Sequence, residues 1–102
     1  MVAFRLTEAA ENDLVGIRTY SLKQFGKKQT IKYLTQLEQA LVLLSESPAL
    51  GQKRLDIDSD IFSFPYQSHM IYFTKDVDVI VVFAVLHQKM IPHKHLEDRE
   101  VD

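Results

Sequence analysis

The sequence predicts an α+β fold: an N-terminal strand, then an α-helical hairpin packed on a mainly antiparallel sheet of about four strands. Three observations carry that prediction. A short alternating segment opens the chain, apolar residues then recur at helical spacing from Ala10 to Leu44, and from Ile61 to Leu86 they follow strand spacing. Helices followed by strands in this way gather the helices on one face of a sheet. The length of 102 residues suits one domain over positions 1–102, with a tail, 92–102, that shows no periodicity.

Each element has its own signal. In "VAFRL" Val2, Phe4 and Leu6 alternate with Ala3 and Arg5, as in a strand with one buried face. Thr7 is placed to cap a helix, and Glu8 and Glu11 suit its positive end. Ala10, Leu14 and Ile17 form an apolar stripe, which Gly26 closes. Ile31, Leu34, Leu37, Leu41 and Leu44 form the stripe of a second helix, ended by Pro48 and Gly51. The short link "FGKKQ" makes the two helices antiparallel. "GQKRLDIDSD" holds turn residues and charges; "IFSF", "SHMIYFT" and "VIVVFAVL" then read as strands, the last apolar on both faces and therefore central.

Composition removes several function classes. With no cysteine there is no disulfide, thiolate nucleophile or zinc–sulfur cluster. The opening "MVAFRLTEAAEND" lacks the basic start and apolar core of a signal peptide, and no run of 18 apolar residues suggests a membrane span. A formal charge of −2 argues against a protein whose task is gripping a phosphate backbone, so no direct sequence-specific nucleic-acid binding is expected.

The stretches "FRLTEAAENDLVGIRTYSLKQFG", "YLTQLEQALVLLSESPALGQ", "FPYQSHMIYF" and "VIVVFAVLHQKM" occur in an order that resembles the RelE/ParE family of toxins from bacterial type II toxin–antitoxin modules, most closely its ParE branch. The resemblance implies the same helical hairpin on a sheet. It implies a toxin of the bacterial cytoplasm that binds and poisons DNA gyrase without cofactor or catalysis. A ParD-like antitoxin encoded nearby would neutralise it in a hetero-oligomer. The alternative that it implies is a ribosome-dependent mRNA endoribonuclease of the RelE type, resting on Lys53, Arg54, His69, Tyr72, His87 and Lys89. Against that alternative, Ala84 stands where family members often carry an arginine, and no tyrosine follows Tyr72.

Candidate residues follow from chemistry. His69 and His87 have the side chain best suited to proton transfer near neutral pH, but each also ends an apolar strand, where a satisfied histidine is the commoner outcome. Pairing Thr74 with Val79 places the two histidines on different sheet faces; a one-residue slip brings them together, and the sequence leaves both registers open. Lys53, Arg54 and Lys89, with the histidines, are the target-binding candidates, although cations spread over two loops are ordinarily solvated surface charge. Lys23, Lys27, Lys28 and Lys32 crowd the interhelical turn and read as helix-end charge or a partner patch. Leu22, Phe25, Val42 and Leu43 are the apolar residues expected to remain uncovered for an antitoxin. His93 and His95 sit two apart, but two ligands make no closed metal shell, and no metal site is expected.

Overall fold

A computed structural model of the chain describes residues 4–90, 92–96 and 99. Strand β1 (Phe4–Leu6) runs parallel to the later strand β5, with Phe4 beside Ile80 and Leu6 beside Val82. The Thr7 N–H continues that ladder by donating to the Val82 carbonyl at 3.0 Å. The Thr7 hydroxyl then accepts from the Ala10 N–H at 3.2 Å, capping the helix as expected and satisfying one of its four orphan donors.

Helix α1 (Glu8–Glu46) contains one non-helical residue, Gly26, at φ 85 and ψ 175. Glycine reaches that region without strain and L residues do not, so the chain folds back there. The Thr30 hydroxyl donates to the Gly26 carbonyl at 2.8 Å and lies 2.8 Å from the Ser21 hydroxyl, from which it accepts. Nine residues of unbroken helix would hold the pair about 13 Å apart along the axis, so α1 is a hairpin of two arms. Ser21 and Thr30 are both buried, and their small side chains let the arms close at the tip. On the second arm Leu37, Leu41 and Leu44 are buried and Leu34 packs beside them. Ile31, expected on the same stripe, is instead 55% exposed. So near the tip the inward position faces the other arm rather than the sheet, and Thr30 holds it.

A 3-10 turn (Pro48–Leu50) leads into β2 (Gln52–Lys53), β3 (Phe62–Tyr66), β4 (His69–Asp76), β5 (Val79–His87) and a short helix α2 (Pro92–Leu96). The sheet order is β1-β5-β4-β3-β2, with β1 parallel to β5 and the other pairs antiparallel. There are five strands where about four were expected. The extra strand is β2, whose two residues are too few to show a period, within a segment that reads as turn and charge. Central β5 is buried from Ile80 to Leu86, as its unbroken apolar run required.

The sheet has two covered faces. Toward α1, Ile71, Phe73, Ile80, Val82 and Val85 form one core with Ala10, Leu37, Leu41 and Leu44. On the other face, Tyr72, Phe83, Ala84 and Leu86 pack with Leu96 of α2, flanked by Ile57 and Ile61 from the loop before β3. Tyr72 pairs with Ala84 and Phe73 with Val82, which leaves Phe83 as a β-bulge. The bulge turns Phe83 and Ala84 to the same side, which accounts for both lying in the second cluster.

One ion pair ties the bulge to both the hairpin and the tail. Arg99 grips Asp13 with Nη1 to Oδ2 at 2.6 Å and Nη2 to Oδ1 at 3.0 Å. The same Nη1 donates to the Phe83 carbonyl at 3.0 Å, and Asp13 Oδ2 accepts from the Val85 N–H at 2.9 Å. Since β1 ends opposite Val82, no strand among the described residues lies alongside the edge of β5 beyond it. Asp13 and Arg99 supply the hydrogen bonds that a strand would have made.

Candidate functional site

Tyr66 of β3, His69 of β4 and His87 of β5 lie side by side across the sheet, with Tyr66 opposite His69 and His69 opposite His87. The bulge decides this. Around the two-residue turn Val77–Asp78 the strands pair with Thr74 opposite Val81; carried on unbroken, that register would set His69 opposite Leu86 and turn His87 to the other face. The single extra residue, Phe83, supplies the one-residue slip that brings both histidines to the hairpin side.

Tyr33, from the second arm of α1, completes the cluster. Its hydroxyl lies 2.6 Å from His69 Nδ1. Its ring meets Tyr66 at 5.3 Å between centroids and His69 at 5.7 Å, both edge-on. The two imidazoles lie 5.5 Å apart with their planes at 76°. Burial raises the Tyr33 pKa against smaller opposing effects of donors on Ser68, and burial likewise raises that of Tyr66, helped by Tyr33. Burial lowers the pKa of His69, and the neighbouring His87 lowers it further; Asp13 acts the other way. His69 is thus held neutral more strongly than a free histidine.

The turn between β3 and β4 is held by the chain that follows β5. Gln67 adopts a positive φ of 52, a conformation glycine would take more easily. The Gln88 side chain donates to the Gln67 carbonyl at 2.7 Å, and the Gln88 N–H donates to the Ser68 carbonyl at 2.9 Å. The Lys89 N–H donates to His87 Nδ1 at 3.2 Å. Above this end of the sheet lies a groove of about 980 Å³, walled by Ile17, Tyr20, Phe25 and Tyr33 of the hairpin and floored by His69 and His87.

The five target-binding candidates do not form one site. His69, His87 and Lys89 share this end of the sheet. Lys53 pairs with Phe62, at the far end of β3 from Tyr66, roughly 13 Å away at strand rise. Arg54 is engaged on the opposite face: its guanidinium meets Asp56 at 2.9 Å, donates to Ser63 at 3.3 Å and lies over the Tyr72 ring at 5.5 Å. Asp56 is the main reason that the Arg54 pKa is raised. Tyr72 is buried beneath it, away from the histidines.

Among the antitoxin candidates, Phe25 lines the groove, 65% exposed, and Leu22 is exposed on the same arm. Leu43 is exposed and Val42 half-buried, but they sit roughly 25 Å along the second arm from the tip. The four therefore mark two separate patches. His95 is exposed; the His93 side chain lies outside the described residues. Among the described residues no group of three His, Cys, Asp or Glu side chains is gathered to hold a metal, and no helix is long and apolar enough to cross a membrane.

Tyr33, Tyr66, Asp13 and Arg99 were not singled out for their site roles by sequence reasoning. Tyr66 had a signal: two residues, Gln67 and Ser68, separate it from His69, the length of a tight hairpin turn. Tyr33 and the Asp13–Arg99 pair are brought in over long separations and leave no local pattern.

Comparison with known proteins agrees with this architecture. The family model described as the ParE toxin of the type II toxin–antitoxin system, parDE, matches residues 4–92. Toxin ParE1 of Caulobacter vibrioides is 30% identical over 96 residues, covering 94% of this chain and 99% of the relative. Toxin ParE of Escherichia coli is 27% identical over 100 residues, 97% of each chain. A solved structure titled as the chromosomal ParDE TA system from P. aeruginosa superposes with a TM-score of 0.73 over 85% of this chain and 96% of that one; at 15% identity it bears on the fold alone. The helical hairpin on a bulged sheet, read with these matches, makes the chain a member of the ParE toxin family of type II toxin–antitoxin systems.

Proposed function

We propose that this toxin arrests growth by binding and poisoning DNA gyrase, with no catalysis of its own, and that a ParD-like antitoxin neutralises it in a hetero-oligomer in the bacterial cytoplasm. Family membership supports the antitoxin partner. One observation in the site favours binding over chemistry: the groups that converge, Tyr33, His69 and His87, include no guanidinium, while those of Arg54 and Arg99 are each committed to a carboxylate elsewhere. Cleaving RNA without a metal requires cations aimed at one phosphate to stabilise the developing charge. Lys32 lines the groove, and Lys89 meets His87 through its backbone N–H rather than its ammonium.

The 2.6 Å contact between Tyr33 and His69 beside a second imidazole is what favours the other reading, a ribosome-dependent endoribonuclease. Expression in bacteria separates the two. Induced alone, the chain is expected to stop growth with DNA breaks while translation continues at first; induced beside its neighbouring reading frame, it is expected to leave growth normal. Early translation arrest without DNA breaks would transfer the reading to the ribonuclease.

A further inference from the structure

We propose that His69 and His87 act as a fork of two N–H donors on the groove floor, and that the fork takes a carboxylate carried by an acidic, apolar segment of a protein partner. The hydrogen bonds fix the tautomers. A backbone N–H can only donate, so the Lys89 N–H makes His87 Nδ1 an acceptor and leaves the proton of the neutral ring on Nε2. At His69, Nδ1 is met by the Tyr33 hydroxyl. A phenol is a stronger acid than a neutral imidazole N–H, so the hydrogen of the 2.6 Å contact belongs to Tyr33 and is directed to Nδ1. The His69 proton is thereby assigned to Nε2 as well. Paired directly across two strands, the rings offer two Nε2–H groups.

An acceptor with two oxygens complements two such donors, and a charged one makes the stronger bonds. The surroundings favour a carboxylate on a peptide over a phosphate backbone. Ile17, Tyr20, Phe25 and Met90 give the groove an apolar lining, and Lys32 is the cation on its wall. Among the described residues the carboxylate on that wall is Asp13, which is already paired with Arg99. Nucleic acid would call for several converging cations, which this wall does not present. Lys23, Lys27 and Lys28 at the hairpin tip add positive charge nearby for an acidic segment.

The groups facing the histidines are Tyr33, Asp13 and Lys32 from α1, Tyr66 from β3, Ser68 from the turn, Lys89 after β5, and each other. A bound carboxylate adds an anion to this set and stabilises the protonated imidazole of His69, so binding is expected to raise the His69 pKa from its lowered position and to strengthen as pH falls. The inference deepens the antitoxin half of the proposed function and does not depend on gyrase. A chain that binds the acidic probe below but leaves gyrase untouched would retain the fork and lose only the target.

The test is imidazole ¹⁵N NMR of the whole chain with three probes: acetyl-Leu-Phe-Glu-Leu-Phe-amide, its Glu→Gln counterpart, and inorganic phosphate. The free chain should show both rings as Nε2–H tautomers. The glutamate peptide should shift both Nε2 signals and bind about tenfold or more tightly than the glutamine peptide, the loss expected for a charge-assisted bond. His87→Gln, which keeps a side-chain N–H donor, should retain more of that preference than His87→Met, with the rest of the spectrum reporting that both are folded. Either ring found as the Nδ1–H tautomer, equal affinity for the two peptides, or phosphate matching the glutamate peptide would overturn the proposal. Histidine signals unmoved while those of Leu43 respond would do the same by placing the peptide on the other patch.

Discussion

The two faces of the sheet are covered by different means. The face toward α1 is covered by side chains recurring at three and four residues along both helix arms, Ala10, Leu14 and Ile17 on the first and Leu34, Leu37, Leu41 and Leu44 on the second. The opposite face is covered by pieces from distant parts of the chain: Ile57 and Ile61 from a loop, Leu96 from α2, and Arg54 over Tyr72. What pins that second cover is polar, with Arg99 reaching from the tail to Asp13 of α1 and the Phe83 carbonyl. A periodic cover is cooperative along its length; an assembled cover depends on a few clamps.

The largest expected effect is on the periodic face. Leu37→Ala or Leu41→Ala removes buried volume from the main core and should cost about 2–5 kcal/mol in urea unfolding. Lys28→Ala, at the exposed tip, should change stability by no more than about 0.5 kcal/mol. Similar small losses at all three would mean that the leucines do not carry the hairpin.

Next comes the clamp. Arg99→Ala leaves Asp13, largely buried, without its cation and frees the Phe83 carbonyl, so a loss of about 1.5–3 kcal/mol is expected. Hydrogen exchange at the Val85 amide should also quicken, because Asp13 accepts from it. An unchanged Val85 rate with stability intact would show that the assembled cover does not need the clamp.

Gly26→Ala tests the hinge that folds the two arms of α1 back on each other over the sheet. No atom lies within 4 Å of the position an added Cβ would take, so the cost is backbone strain alone, about 1–3 kcal/mol. A neutral substitution would contradict the positive φ.

A smaller effect belongs to the histidine end. The folded chain holds the His69 pKa below its ordinary 6.5, so the unfolded chain binds more protons between the two values. The stability associated with neutral His69 is therefore fully present above pH 6.5 and is lost as pH falls through the folded value. His69→Asn should lose less stability than the wild type over that acid range. Parallel curves would mean that burial does not perturb His69.

These contrasts also explain what the sequence disclosed. The hairpin, its Thr7 cap, its Gly26 break and central β5 were legible because each follows a local rule of period or capping. β2 was missed because two residues carry no period. The histidines were found by residue type, but their meeting was not, since a bulge at Phe83 sets the register and no local signal in "VIVVFAVLH" marks it. The Asp13–Arg99 clamp joins residues 86 apart in sequence, beyond the reach of any local pattern.

The most direct test of the account is made with purified toxin, gyrase and supercoiled plasmid, run beside ribosomes programmed with mRNA. Binding without chemistry predicts linear plasmid, trapped on gyrase and released by denaturant, together with intact mRNA. Intact plasmid with codon-specific mRNA cuts that vanish in His87→Ala would contradict it.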